Sequence, residues 1–167
     1  PMMPNGSACS TWQLYVILDR EAAAGQDLGV LAQAAIRGGA DVLQLRDKTA
    51  SAQALLDEAR RVLPIAQAAG IPLLINDRAD VAEAAGADGV HLGQDDLPIE
   101  AARHLLGPGR LIGRSTHSLE QALAATAEGA AYIGVGPIFS TPTKPGYGSV
   151  GLALIPQVTA QITIPHV

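Results

Sequence analysis

The chain has 167 residues, enough for one domain with a sizeable core and too few for two ordinary domains. Its formal charge of −5 argues against a nucleic-acid-binding protein, which normally presents a basic face. The single cysteine, Cys9, excludes an internal disulfide and a cysteine-based zinc site. No apolar stretch approaches the roughly 20 residues that span a bilayer. We therefore expect a soluble cytoplasmic protein with no membrane contact.

Two kinds of segment alternate along the chain. Hydrophobic residues make up 48% and aromatic residues 3%, so Ala, Val, Leu and Ile must form the core. Runs rich in Val, Ile and Leu predict strands at 14–18, 42–45, 72–75, 89–92, 111–113 and 132–135. Segments of helical period, mostly rich in Ala, predict helices at 28–37, 50–69, 80–85, 98–106 and 118–128. This alternation predicts parallel strands joined by right-handed crossovers.

An internal repeat indicates the fold. Gly39-Ala40, Gly86-Ala87 and Gly129-Ala130 each precede an apolar run, where a helix must end and a strand begin. The spacings of 47 and 43 residues correspond to two βα units each. Regular units of this size predict an α/β fold of the (β/α)8 TIM-barrel type rather than an open doubly wound sheet.

The predicted barrel is C-terminally incomplete. Six strands are accounted for by Val135, and a seventh begins within residues 162–167. That gives about six and a half βα units, whereas a complete barrel has eight and usually exceeds ~200 residues. We expect residues 1–11 to form a loose arm and residues 12–167 a single barrel domain truncated in strand seven. Unpaired strand edges make self-association an expectation.

Cationic and amide side chains end the second predicted strand. Gln44 and Arg46 are two positions apart, so they should share the face that points into the barrel, and Lys48 follows in the loop. Arginine presents a planar fork to phosphate oxygens, and lysine a mobile point charge. This set predicts an anion-binding site. The alternative is that Arg46 pairs with Asp41 or Asp47 on the surface.

Carboxylates end the next two predicted strands. Asp77 follows one strand directly after Asn76, and Asp95 and Asp96 follow the other. Magnesium needs only a few protein oxygens when phosphate oxygens and water complete its shell. We therefore predict a metal site formed by Asp77 together with Asp95 or Asp96. Alternatively, Asp96 caps the following helix and Asp77 pairs with its neighbour Arg78.

Three further features concern polar residues near strand ends. His91 should lie on a strand, where a hydrogen-bonded interior role is the first expectation. Ser115 and His117 suggest a nucleophile with a base, but no G-x-S-x-G elbow accompanies them, so we favour Ser115 as a hydrogen-bond donor to substrate. The loop at 136–151 contains four glycines and three prolines. It predicts a lid that closes over phosphate and carries Thr141, Thr143 and Lys144.

Five motifs appear in order, and together they resemble the thiamine-phosphate synthase family from Leu14 onward. The motifs are Gln44-x-Arg46-x-Lys48, Asn76-Asp77, His91-x-Gly93-Gln94-x-Asp96, Gly113-x-Ser115-x-His117 and Gly136-Pro137-x-x-x-Thr141-x-Thr143-Lys144. The family joins 4-amino-2-methyl-5-hydroxymethylpyrimidine diphosphate to 4-methyl-5-(2-phosphoethyl)thiazole and releases diphosphate. Its fold is the (β/α)8 barrel and its metal is Mg²⁺.

The resemblance assigns a role to each matched residue. It implies Asp77 and Asp96 as metal ligands, and Gln44, Arg46, Lys48 and Asn76 as pyrimidine-diphosphate contacts. It implies that Ser115 contacts the reacting pyrimidine and that Gly93 and Gln94 shape the pocket floor. It implies that Thr141 and Thr143 bind the thiazole phosphate and that Lys144 binds diphosphate. Arg46, Lys48, Ser115 and Lys144 are the implied catalytic residues.

Two alternatives remain open. The first is the related thiazole tautomerase group, which shares the barrel but transfers a proton without condensation. The retained Asp77, Asp96 and Thr141-x-Thr143-Lys144 set favours the synthase, because an isomerase has no diphosphate to eject. The second is an inactive fragment that binds thiamine precursors or is completed by another chain.

Overall fold

The computed structural model describes residues 9–140 and 149–167 and contains one parallel sheet flanked by helices. The six strands are β1 (Tyr15–Asp19), β2 (Val42–Arg46), β3 (Leu73–Asn76), β4 (Gly89–Leu92), β5 (Leu111–Thr116) and β6 (Tyr132–Val135). The helices are α1 (Leu28–Arg37), α2 (Ala52–Ala69), α3 (Ala79–Ala85), α4 (Ile99–Leu106), α5 (Leu119–Ala127) and α6 (Leu154–Gln161). In this part of the chain, no helix is long and apolar enough to cross a membrane.

The strands pair in chain order, β1-β2-β3-β4-β5-β6, and every pairing is parallel. The predicted α/β class, strand order and parallel pairing are confirmed. Two elements differ from the sequence prediction. Strand β5 continues through the polar residues to Thr116, and α6 was not predicted because Pro156 lies within a short segment of mixed character.

Local signals explain where several elements begin and end. Ser51 and Ser118 cap α2 and α5, and each hydroxyl accepts a hydrogen bond from the backbone N–H three residues later, at 3.2 Å. The repeated glycines Gly86 and Gly129 have φ of 70° and 88°. That left-handed conformation ends a helix at little cost only in glycine, which accounts for the repeat.

The larger core lies between the sheet and the helices. Alternate strand residues are fully buried there, including Leu43 and Leu45 of β2, Leu73 and Ile75 of β3 and Val90 of β4. Both faces of the sheet are covered, so its strands are close to continuously apolar at their centres. The second face points to the interior of the curled sheet and carries the side chains of the site.

The sheet curls until its first and last strands approach each other. A flat six-stranded sheet would separate β1 from β6 by five strand spacings, or roughly 24 Å. Nevertheless, the hydroxyls of Tyr15 on β1 and Tyr132 on β6 lie 2.8 Å apart. Beneath them, Val42, Leu74 and Leu111 form a small apolar interior cluster. The architecture is therefore a curled parallel sheet with its own interior.

The residues before β1 pack below this interior cluster. Residues 1–8 of the predicted arm lie outside the described part of the chain, whereas Cys9–Thr11 form a short 3-10 helix. Cys9 is 3% exposed, and burial raises the pKa of its thiol to about 11. The Trp12 ring lies edge-on to Tyr132, with 5.2 Å between centroids. Apolar contacts thus hold the end of the predicted arm against the lower end of the curled sheet.

The last residues of the chain lie beside β6. Ile133 N–H donates to the Pro165 carbonyl at 3.0 Å, and Val167 N–H donates to the Ile133 carbonyl at 3.0 Å. Val135 N–H donates to the Val167 carbonyl at 2.8 Å. This parallel bridge lies where the sequence places the start of a seventh strand.

Candidate active site

One cavity of about 600 Å³ opens at the carboxyl ends of the strands. Polar side chains from β2 to β5 and from the loops that follow them face it. Nine predicted site residues line the cavity: Gln44, Arg46, Lys48, Asn76, Asp77, Gly93, Gln94, Asp96 and Ser115. The remaining three, Thr141, Thr143 and Lys144, lie outside the described residues. Sequence positions up to 71 residues apart, from Gln44 to Ser115, thus meet in one site.

The Arg46 guanidinium forms an ion pair with Asp19 in the cavity wall. The two residues are register partners on neighbouring strands β1 and β2. Burial opposes ionisation of Asp19, but hydrogen bonds from Ala22 N–H and from Arg46 outweigh it and lower the pKa of the carboxyl. The suggested pairing of Arg46 with Asp41 or Asp47 is therefore replaced by a contact that holds the cation at the cavity.

Asp41 and Asp47 have local structural roles instead. The Asp41 carboxylate accepts from the backbone N–H groups of Gln13 and Leu14, at 2.7 and 2.9 Å. Asp47 accepts from the N–H of Thr49 at 2.9 Å and shapes the turn into α2. Neither carboxylate therefore competes with Asp19 for the guanidinium.

Asp77 and Asp96 form a carboxylate pair at the cavity. Asp77 contacts the Lys48 ammonium and has φ of 62°, an unusual backbone conformation for a residue other than glycine. Such strain is typical of functional sites. Burial, followed by the neighbouring Asp77 carboxyl, raises the pKa of Asp96. Two carboxyl groups are therefore held close together, and the nearby Lys48 ammonium offsets only part of what raises the Asp96 pKa.

The suggested structural roles of these two aspartates are not seen. The Asp96 carboxylate accepts from Gly93 N–H at 2.7 Å, which closes its own loop, and α4 begins without a side-chain cap. Arg78 pairs with Asp80 rather than with Asp77. Both carboxylates thus keep oxygen lone pairs available at the cavity.

The carboxylate pair fits a hard divalent cation. The described residues contain no group of three or more His, Cys, Asp or Glu side chains arranged around a metal position. Two carboxylates are nonetheless sufficient for Mg²⁺ when substrate phosphate oxygens and water supply the other ligands. A divalent cation held by Asp77 and Asp96 would also offset the burial and the neighbouring carboxyl that raise the Asp96 pKa.

The half-buried Gln94 and the buried Arg114 brace the loop that carries Asp96. The Gln94 amide donates to the Ser115 carbonyl at 2.6 Å. Arg114, only 9% exposed, donates to the carbonyls of Leu97 at 3.0 Å and Gln94 at 3.3 Å. The loop after β4 is therefore fastened to β5, which fixes the height of Asp96 above the sheet.

The Ser115 hydroxyl forms a hydrogen bond with His91 rather than with His117. Ser115 Oγ lies 2.8 Å from His91 Nε2, and His91 Nδ1 lies 2.8 Å from the Tyr132 hydroxyl. His117 Nδ1 contacts the Gly136 carbonyl. His91 is thus a hydrogen-bonded interior residue, as expected from sequence, and the suggested Ser115–His117 pair is not formed.

Sequence reasoning missed Asp19, Tyr15 and Tyr132. Each lies at one end of an apolar strand, where an acidic residue usually meets solvent and a tyrosine usually packs in the core. The strand register would have revealed Asp19, because it lies opposite Arg46. The two tyrosines gave no sequence signal, because their contact depends on the curl of the whole sheet.

A family model described as thiamine monophosphate synthase matches residues 14–167. The chain belongs to this family. Two curated relatives named thiamine-phosphate synthase come from Shouchella clausii and Roseiflexus castenholzii. The first is 50% identical, and the alignment covers 93% of this chain and 75% of the relative. The second is 45% identical, and the alignment covers 91% of this chain and 67% of the relative.

One of two similar solved structures agrees with the membership of this chain in the thiamine monophosphate synthase family. A thiamine phosphate pyrophosphorylase from Pyrococcus furiosus is 32% identical, with a TM-score of 0.81, over 93% of this chain and 73% of that one. A putative deoxyribose-phosphate aldolase from Coccidioides immitis is 14% identical, with a TM-score of 0.62, over 99% of this chain and 76% of that one. The second likeness concerns the fold alone.

Proposed function

We propose that this chain is a thiamine-phosphate synthase. It joins 4-amino-2-methyl-5-hydroxymethylpyrimidine diphosphate to 4-methyl-5-(2-phosphoethyl)thiazole and forms thiamine phosphate and diphosphate. The observation that carries the proposal is one cavity in which two adjacent carboxylates, Asp77 and Asp96, lie beside two cations, Arg46 and Lys48. Family membership and 50% identity to a named synthase support the same activity.

The charged residues suit a leaving diphosphate. Arg46 is kept in place by Asp19, and Lys48 is kept in place by Asp77. At ~4 Å and an effective dielectric constant of ~20, each unit charge pair contributes about 4 kcal/mol before desolvation. These cations therefore stabilise negative charge that grows on the departing oxygen, which is the main requirement of a dissociative step.

Asp77 and Asp96 would hold Mg²⁺ in this proposal. The ion would neutralise phosphate oxygens when it is bound. Asn76, on the same strand end as Asp77, and Gln44 would bind the pyrimidine diphosphate from the adjacent strand ends β3 and β2. Gly93 and Gln94 would form the pocket floor beside them.

No covalent nucleophile is required. After diphosphate leaves, the electron-rich aminopyrimidine stabilises a carbenium ion that the thiazole nitrogen attacks. Ser115 would donate a hydrogen bond to the pyrimidine, in keeping with its contact to His91 rather than to a base at His117. Thr141 and Thr143 would bind the thiazole phosphate, and Lys144 the diphosphate, from the loop after β6. Placement of the two substrates supplies the remaining rate enhancement.

The complete (β/α)8 barrel belongs to the same proposal. Its support is the sequential parallel order of six strands, the contact of Tyr15 with Tyr132 across the interior, and the parallel bridge of His166 to β6. Phosphate sites in such barrels commonly use loops at the carboxyl ends of the strands, the end at which this cavity opens.

The thiazole tautomerase reaction provides the sharpest test between family activities. The purified chain is incubated with the substrate of the thiazole tautomerase group alone, and separately with both synthase substrates and Mg²⁺. We expect condensation with diphosphate release and no acceleration of the tautomer exchange. Rapid tautomer exchange without condensation would assign the cavity to the isomerase instead.

A further inference from the structure

Five side chains from five strands form one hydrogen-bonded row through the interior. The Gln44 amide nitrogen donates to the Tyr15 hydroxyl at 2.5 Å, and the Tyr15 and Tyr132 hydroxyls are 2.8 Å apart. The row continues from Tyr132 to His91 Nδ1 at 2.8 Å and from His91 Nε2 to Ser115 Oγ at 2.8 Å. It ends at Ser115, whose hydroxyl the proposed function places against the pyrimidine.

The donor at the first position sets the direction of the whole row. Because the Gln44 amide donates, the Tyr15 oxygen accepts and its hydrogen is available for Tyr132. Tyr132 then donates to His91 Nδ1, and a neutral imidazole that accepts at Nδ1 carries its hydrogen on Nε2. His91 Nε2–H therefore donates to Ser115 Oγ, and every bond in the row has one donor and one acceptor.

With the Gln44 amide nitrogen placed on the Tyr15 hydroxyl, as in this structure, the opposite direction leaves a donor unused. The Tyr15 oxygen would accept from both Gln44 and Tyr132, and its own hydrogen would have no acceptor among the other four members. Buried polar groups in proteins are overwhelmingly paired, so the first direction is favoured. In that direction the Ser115 hydrogen is left to point into the cavity.

Tyr132 lies at the centre of the row but does not line the cavity. It is fully buried, and burial raises the pKa of its phenol well above the ordinary value, so it stays protonated and able to donate. Gly113 provides the space for its ring, since a Cβ there would lie 2.1 Å from Tyr132 Cζ. Any effect of Tyr132 on substrate must therefore pass through its neighbours.

We propose that Tyr132 and His91 are positioning residues that fix Ser115 as a hydrogen-bond donor toward a ring nitrogen of the bound aminopyrimidine. This inference rests on the proposed function for the identity of the ligand. The ring nitrogens of an aminopyrimidine accept hydrogen bonds, so a serine whose oxygen is already occupied by His91 presents the complementary hydrogen. If the row ran in the opposite direction, Ser115 would give its hydrogen to His91 and would offer the substrate only lone pairs.

The direct test is the tautomer of His91 in the substrate-free protein, read from ¹⁵N chemical shifts of histidine-labelled chain. The resonances of His91 are assigned by their loss in His91→Gln. We expect hydrogen on Nε2 in the wild type and a smaller Nε2–H fraction in Tyr132→Phe. Hydrogen on Nδ1 in the wild type, or an unchanged tautomer in Tyr132→Phe, would overturn the proposal.

Kinetics provide the second measurement. We expect Tyr132→Phe to lower kcat by about 5- to 10-fold, the loss of one hydrogen bond, with the KM for thiazole phosphate unchanged. The control is Thr116→Val, which removes a buried hydroxyl from the opposite face of β5, where it donates to the Gly134 carbonyl at 3.0 Å. Equal losses in the two variants would contradict a role through His91.

The two proposals fail in different ways. If the chain makes no thiamine phosphate, the proposed function is wrong, whereas the tautomer measurement still decides the direction of the row. If the chain is active and His91 carries hydrogen on Nδ1, the positioning role is wrong and the synthase assignment stands.

Discussion

Tyr15 and Tyr132 join the first and sixth strands through hydroxyls 2.8 Å apart. The contact crosses the interior of the sheet, so it both fixes the curl and separates two regions. Below it lies the apolar cluster with Val42, Leu74 and Leu111, and above it lies the polar cavity. Of the two residues, Tyr15 lines the cavity, and it therefore marks the lower limit of the candidate active site.

Gly113 should be sensitive to the smallest enlargement. A Cβ at Gly113 would lie 2.1 Å from Tyr132 Cζ, so Gly113→Ala must displace the ring. We expect a loss of about 1–3 kcal/mol in the free energy of unfolding, typical of overpacking, measured by urea denaturation. The matched control is Gly134→Ala on the next strand, where the new Cβ would lie 3.4 Å from His91 Cε1. Equal stability of the two variants would contradict the packing described here.

Asp77→Asn should remove activity without unfolding the chain. Asparagine tolerates the φ of 62° at this position, so the backbone should be kept. We expect turnover in Mg²⁺ to fall by about 100-fold or more, as when one preorganised charge at a reacting group is removed. The control is Asp80→Asn, whose exposed carboxylate pairs with Arg78 away from the cavity. Unchanged turnover in Asp77→Asn would exclude Asp77 from the metal site.

Asp96→Asn should stabilise the metal-free protein at neutral pH. Burial and Asp77 raise the pKa of Asp96 in the folded chain above its unfolded value of 3.8. The stability linked to this proton is therefore present below pH 3.8 and is lost as the pH rises through the folded pKa. In EDTA we expect a higher melting temperature for Asp96→Asn at pH 7, and a gain that shrinks as the pH falls.

The opposite sign is expected at Asp80. Its hydrogen bond from Arg78 lowers the pKa of the carboxyl, so its contribution is present above pH 3.8 and is lost as the pH falls through the folded pKa. Asp80→Asn should therefore slightly lower the melting temperature at pH 7. Saturating Mg²⁺ should also reverse the order of wild type and Asp96→Asn, because only the wild type keeps both carboxylates. Identical pH profiles for Asp80→Asn and Asp96→Asn would contradict the carboxylate pair.

Lys144→Ala tests, by reaction kinetics, which substrate the loop after β6 binds. If this ammonium binds the leaving diphosphate, its removal should lower the rate of diphosphate departure by about 100-fold. The KM for thiazole phosphate should change much less. Single-turnover kinetics with ³²P-labelled pyrimidine diphosphate separates the two effects. A large rise in that KM with unchanged departure would place Lys144 on the other substrate.

Much of the fold was predictable because local rules and tertiary structure agree. The strand at Val42–Arg46 and the helix at Leu28–Arg37 follow apolar runs and helical periodicity, and the repeated Gly-Ala pairs follow from left-handed helix ends. The curl of the sheet was implied only by the regular length of the βα units. Its evidence in the structure is a contact between residues 117 positions apart, which no local pattern encodes.

The candidate site was predictable where its residues end strands. Gln44, Asp77 and Ser115 converge because parallel strands present their carboxyl ends at one edge. The partners within the site were not predictable, because they depend on register and on curvature. Asp19 reaches Arg46 through the pairing of β1 with β2, and His91 reaches Tyr132 only across the interior of the curled sheet.

Formation of thiamine phosphate by the 167-residue chain is the measurement that tests the central claim most directly. Both substrates are supplied, first with Mg²⁺ and then with EDTA, and the product and diphosphate are quantified together. The account predicts equimolar product and diphosphate in Mg²⁺ and neither in EDTA. No product in Mg²⁺, from a sample whose circular dichroism shows the folded α/β structure, would contradict it.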